Sequence, residues 1–98
     1  MSNFVPEELK RCADTYEERN ITYGDCYKRQ GEIMKLFFPE GMKLESDSDW
    51  NRMGIMFKII DKLIRYNVNF STVGHPDSLH DIAVYSTMLL ELDNERFP

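Results

Sequence analysis

Three basic side chains, Lys58, Lys62 and Arg65, follow one another at spacings of four and three. On a helix that spacing puts them on one face. Further along, Asp77 and Asp81 are four apart and also share a helical face. Two carboxylates so placed repel by about 0.2–0.5 kcal/mol in water. A metal ion, or the basic row opposite, relieves that repulsion. One reading is structural: Asp77 favours the positive end of a helix dipole and Asp81 pairs with Lys62 or Arg65. The other is a polar pocket in which Lys62 and Arg65 meet phosphate while Asp77 and Asp81 meet sugar hydroxyls or Mg²⁺. His75 and His80 flank this cluster, as surface or capping residues in the simpler reading and as ligand contacts in the other. Neither stands in a triad spacing with a Ser or Cys, so nucleophilic catalysis has no support.

Tyr23-Gly24-Asp25 is a second candidate. As structure, it is a turn followed by a helix cap. As a site, the free N–H groups at a helix N-terminus would hold an anion and Tyr23 would offer its face to a base. The chain contains no Gly-Lys-Ser/Thr, so no phosphate-cradling P-loop is present.

Four helical segments must position these groups. The first is expected over about Pro6–Arg19, with Pro6 suited to the opening turn and Leu9, Cys12, Ala13 and Tyr16 forming one apolar stripe. The second is expected over about Asp25–Phe38, capped by Asp25, with the weaker stripe Cys26, Gln30, Ile33, Met34 and Phe37, and ended by Pro39 and Gly41. The third starts in the cap-rich Ser46-Asp47-Ser48-Asp49 and runs to about Tyr66. Met53, Met56, Phe57, Ile60, Leu63 and Ile64 make one of its faces, read as core, and Ile55, Ile59 and Tyr66 a second. Apolar residues over more than half the circumference mark a central helix or an oligomer interface. Gly54 inside it suggests a close helix–helix approach. The fourth runs from Pro76 to about Asn94. No segment alternates with a two-residue period long enough for a strand. The expected fold is all-α, a compact bundle of about four helices forming a single domain over residues 1–98.

Size and composition agree with that. The 98 residues are 42 % apolar and include six Phe, five Tyr, one Trp and six Met, enough for a packed core. A folded monomer of this mass exposes roughly 5,800 Å². The net charge of −5 disfavours sequence-independent nucleic-acid binding, which needs many cations, but not a small anionic ligand in a local basic pocket. Two Cys and two His do not suffice for a structural zinc site of the usual kind, and Cys12 and Cys26 read as reduced, half-buried core residues. The N-terminus lacks the basic and apolar regions of a signal peptide and no apolar run approaches a membrane span, so a cytosolic protein is expected.

Three stretches together resemble a known group. Thr22-Tyr23-Gly24-Asp25, Lys62-Leu63-Ile64-Arg65 and Asp77-Ser78-Leu79-His80-Asp81-Ile82-Ala83-Val84-Tyr85 are similar to the marks of small phage-encoded all-α proteins, the nucleotide-modification-associated domains, which look distantly MazG-like. The resemblance covers about Ile21–Glu91. It implies a helical domain in phage nucleotide metabolism or nucleotide sensing, in a host cytosol, with Asp77, Asp81, Lys62 and Arg65 near the site. It also implies Mg²⁺ as a possible cofactor, held in MazG-type enzymes by two acidic pairs on adjacent helices. Asp77 and Asp81 match one pair. No Glu-x-x-Glu spacing supplies the other.

The reading that follows is a non-catalytic binder of a nucleotide or nucleotide-derived signal, with Lys62, Arg65, Asp77, Asp81, Tyr23, Asp25 and His75 as ligand contacts. It would act as a homo-oligomer, given the broad apolar surface of the last two helices. The alternatives are a Mg²⁺-dependent nucleotide pyrophosphohydrolase and a protein–protein inhibitor of a host enzyme. The second of these would use the carboxylates Glu7, Glu8, Asp14, Glu17 and Glu18.

Overall fold

A computed structural model describes residues 2–98. Among these the chain is all-α, with helices α1 (Phe4–Tyr23), α2 (Gln30–Phe37), α3 (Asp47–Val68) and α4 (Pro76–Arg96), and a 3-10 turn at Cys26–Lys28. The four expected helices are present. The differences lie at their ends and in what covers them.

Helix α1 is longer than its stripe suggested. It opens at Phe4, so Pro6 sits in the first turn, where its missing N–H is not needed. It closes at Gly24, whose N–H bonds the Asn20 carbonyl at 2.8 Å with φ 61° and ψ −151°, a region essentially reserved for glycine. The expected second helix is broken. Asp25 does not cap it: the carboxylate accepts instead from Asn20 Nδ2 at 2.8 Å and from Lys28 Nζ at 3.4 Å. The chain makes one 3-10 turn and becomes α-helical only from Gln30.

Helix α3 starts on a complete capping box. Ser46 Oγ accepts from the Asp49 N–H at 3.1 Å and Asp49 Oδ2 accepts from the Ser46 N–H at 3.2 Å. Helix α4 starts on His75, whose Nδ1 accepts from the Ser78 N–H at 3.3 Å and lies 2.5 Å from Ser78 Oγ. The two helices run antiparallel. Moving along α3 from Arg52 to Lys58 to Lys62, the partners on α4 step back from Asp93 to Tyr85 to Asp81.

Helix α3 touches every other helix and the 3-10 turn, which makes it the central helix. Its Met53, Ile60 and Ile64 are buried, and Ile60 and Ile64 form the core with Cys26, flanked by Tyr23, Ile33, Met34 and Met56. Phe57, expected in the core, is on the surface and takes no part in the Cys26–Ile60–Ile64 cluster. Gly54 faces open space, so no close helix approach requires it. Helix α1 buries none of its residues, and Leu9, Cys12, Ala13 and Tyr16 are all exposed. Cys12 is therefore not a core residue, whereas Cys26 is; both are free thiols. The outreach of α1 gives a radius of gyration of 17.1 Å, against about 13 Å for a closely packed chain of this length. No helix among the described residues is long and apolar enough to cross a membrane.

Candidate functional site

The basic row on α3 divides between two neighbours. Lys62 Nζ turns toward α4 and sits 3.1 Å from Asp81 Oδ2, and Lys58 Nζ lies 5.6 Å from the centre of the Tyr85 ring. Arg65 turns the other way. Its guanidinium carbon stands 4.7 Å from the centre of the Tyr23 ring, and its Nε meets Asp61 Oδ2 at 3.2 Å. Three residues along a helix is 300°, and α4 and the end of α1 approach α3 from different sides, so Lys62 and Arg65 part company. Asp77, exposed at the start of α4, makes no ion pair among the described residues. The His75 and Tyr23 rings meet edge to face, with centres 5.5 Å apart at 87°, so the cap of α4 also touches Tyr23.

Tyr23 and Arg65 form one end of a groove of about 460 Å³. One wall is α1, through Arg11, Cys12, Tyr16, Arg19 and Tyr23; the other is Cys26 and Tyr27 of the 3-10 turn with Asp61 and Arg65 of α3. Of the residues expected to bind ligand, Tyr23 and Arg65 line this groove. Lys62, Asp77 and Asp81 do not, and Asp25 and His75 lie beside it rather than in it. The helix N-terminus expected after Asp25 is a three-residue 3-10 turn and offers no fan of free N–H groups for an anion.

Hydrogen bonds hold the groove's polar rim. The Tyr16 and Tyr27 hydroxyls are 3.3 Å apart, with rings in edge contact at 6.3 Å. Asn20 Nδ2 reaches the Tyr16 hydroxyl at 3.4 Å and Asp25 Oδ1 at 2.8 Å. The bond to Tyr27 raises the Tyr16 hydroxyl above the ordinary phenol range. The Asn20 bond, helped by the Lys28 charge, holds the Asp25 carboxyl below the ordinary carboxylate range, and Asp25 in turn raises Lys28. Burial, with the Asp61 charge adding to it, pushes the Cys26 thiol up. That thiol donates to the Tyr23 carbonyl and is a structural group rather than a nucleophile.

Among the described residues no three His, Cys, Asp or Glu side chains come together as a metal site. Asp81 is occupied by Lys62, and Asp77 is one turn away without a second acidic neighbour. The residues present do not fit a Mg²⁺ held by paired carboxylates.

Among the groove residues that the sequence motifs do not contain are Tyr16, Arg19 and Tyr27. The first two carry a usable signal, because 16, 19 and 23 recur at spacings of three and four and must share a face with Tyr23. Tyr27 carries none, since only the 3-10 turn aims it at Tyr16. No family model matches the chain, and neither does any curated protein or solved structure.

Proposed function

We propose that the protein binds a nucleotide or nucleotide-derived signal, without catalysis, in the groove between α1, the 3-10 turn and α3. The supporting observation is the posture of Arg65. Its guanidinium lies over the Tyr23 ring and its Nε meets Asp61 Oδ2, while neither terminal nitrogen makes a hydrogen bond among the described residues. A guanidinium oriented in this way, with its terminal nitrogens open, suits bidentate contact with phosphate. Arg19 on the facing wall adds a second cation, and Tyr16 and Tyr27 present an aromatic surface for a base. The groove volume is in the usual range for small-molecule sites, about 300–1,000 Å³. The motif likeness to nucleotide-modification-associated domains points the same way. Hydrolysis draws no support from the geometry, because Asp77 and Asp81 are not assembled with further carboxylates.

The test is thermal stabilisation by a panel of mono-, di- and cyclic nucleotides, read in parallel on the Arg65→Ala and Tyr16→Ala variants. A ligand at a hundredfold its Kd stabilises by about 2.7 kcal/mol, which is a shift of the order of 10 °C in a domain of this size. The expected result is a shift for one ligand class that both variants lose. No shift with any nucleotide at millimolar concentration overturns the reading.

A further inference from the structure

The face of α1 that lines the groove does not end with it. Tyr16 and Cys12 continue into Leu9 and Val5 at spacings of four, three and four, the seam of a helix that packs against another helix. Leu9 and Val5 are each 64 % exposed, and no other helix among the described residues covers them. The protein as a whole exposes 7829 Å². That exceeds the roughly 5,800 Å² of a folded monomer of this mass by about 2,000 Å². The excess is spread over the molecule, so about 4,000 Å² is an upper bound on what two copies cover, and the roughly 1,200–2,000 Å² of a standard stable interface lies well within it.

We propose that a second copy of this chain covers the α1 seam, so that the protein is a homodimer with the groove at the edge of the contact. Self-association suits the seam better than a foreign partner does. The groove-side face carries the Glu8–Arg11 pair, 2.9 Å apart, toward its start and Arg19 toward its end, and a two-fold axis across α1 brings Glu8 of each copy near Arg19 of the other. A seam of Val5, Leu9, Cys12 and the Tyr16 ring with charge of both signs beside it is self-complementary. The dimer stands or falls independently of any ligand.

Sedimentation equilibrium of the full chain from low to high micromolar concentration tests it. The expected mass is twice 11.6 kDa. Val5→Glu with Leu9→Glu is expected to halve the mass, and Lys10→Glu, on the opposite side of α1, to leave it unchanged. If the separated chain does not hold its fold, the double variant loses its helical circular dichroism, and the thermal midpoint of the unaltered protein rises with its concentration. A folded species of 11.6 kDa at high micromolar concentration, with a midpoint independent of concentration, overturns the proposal and leaves the seam for a different protein. So does an oligomer whose mass the double variant does not change.

Discussion

Lys62 Nζ on α3 and Asp81 Oδ2 on α4 are 3.1 Å apart, and the pair ties the two long antiparallel helices together about a turn and a half from the loop that joins them. The lysine side chain is 19 % exposed and the aspartate 42 %. Exposed pairs contribute about 0.2–1 kcal/mol, and the covered lysine places this one toward the upper end.

A double-mutant cycle with Lys62→Met and Asp81→Asn is therefore expected to give a coupling of about 1 kcal/mol that shrinks in high salt. Chemical denaturation of the four proteins measures it. Neither change is expected to alter the response to nucleotide, because the pair lies outside the groove. A Lys62→Met protein that folds normally but no longer responds to ligand would place the site between α3 and α4 instead.

Two glycines are expected to respond to alanine with opposite signs. At Gly24, φ 61° and ψ −151° exclude a side chain without strain, so Gly24→Ala costs about 1–3 kcal/mol. Gly54 is mid-helix with nothing near its would-be Cβ, so Gly54→Ala stabilises by about 0.5–1 kcal/mol. Thermal midpoints of the two single variants check this directly. A destabilising Gly54→Ala would mean that another chain approaches that face of α3.

The start of α3 carries a pH dependence. Asp49 accepts backbone N–H bonds from Glu45 and Ser46, and those bonds hold its carboxyl below the ordinary range. A depressed folded-state value means that the contribution is complete above the unfolded carboxylate value and disappears as pH falls through the folded one. Ser46→Ala is expected to cost about 1 kcal/mol at neutral pH. Asp49→Asn should lower stability at neutral pH and flatten the acid limb of the stability curve. Equal acid limbs in the two proteins would rule out this cap as a source of the pH dependence.

The start of α4 depends on His75 and on Ser78, the most enclosed side chain of the molecule at 0 % exposed. His75→Ala removes an N-cap acceptor and leaves the Ser78 hydroxyl without its partner, for an expected loss of about 1–2 kcal/mol. The same change removes the ring packed against Tyr23, so nucleotide binding is expected to weaken along with stability. A loss of stability with undiminished binding would show that Tyr23 holds its place without His75.

Much of the helical architecture could be read from residue order. Ser46 and Asp49 mark the start of α3, Pro76 lies at the start of α4, and the long apolar faces of α3 announce a central helix. These signals are local: a cap or a periodic stripe depends on neighbours a few residues away. The break after Gly24 is not legible in the sequence because Asp25 has two partners of similar worth, the next helix's N–H groups and the Asn20 amide, and only the turn after Tyr23 brings Asn20 within 2.8 Å. The Leu9–Tyr16 stripe showed that something must cover α1 but not what, because periodicity records the existence of an apolar face and not its neighbour. The basic row shows the same limit most plainly. Lys62 and Arg65 share a helical face within an arc wide enough to meet two neighbours, and it took the packing of α4 on one side and of Tyr23 on the other to send one cation to Asp81 and the other to the groove. Helix and cap follow from short-range geometry along the chain. The destination of a long side chain depends on which distant segment arrives beside it, and that is a property of the folded whole.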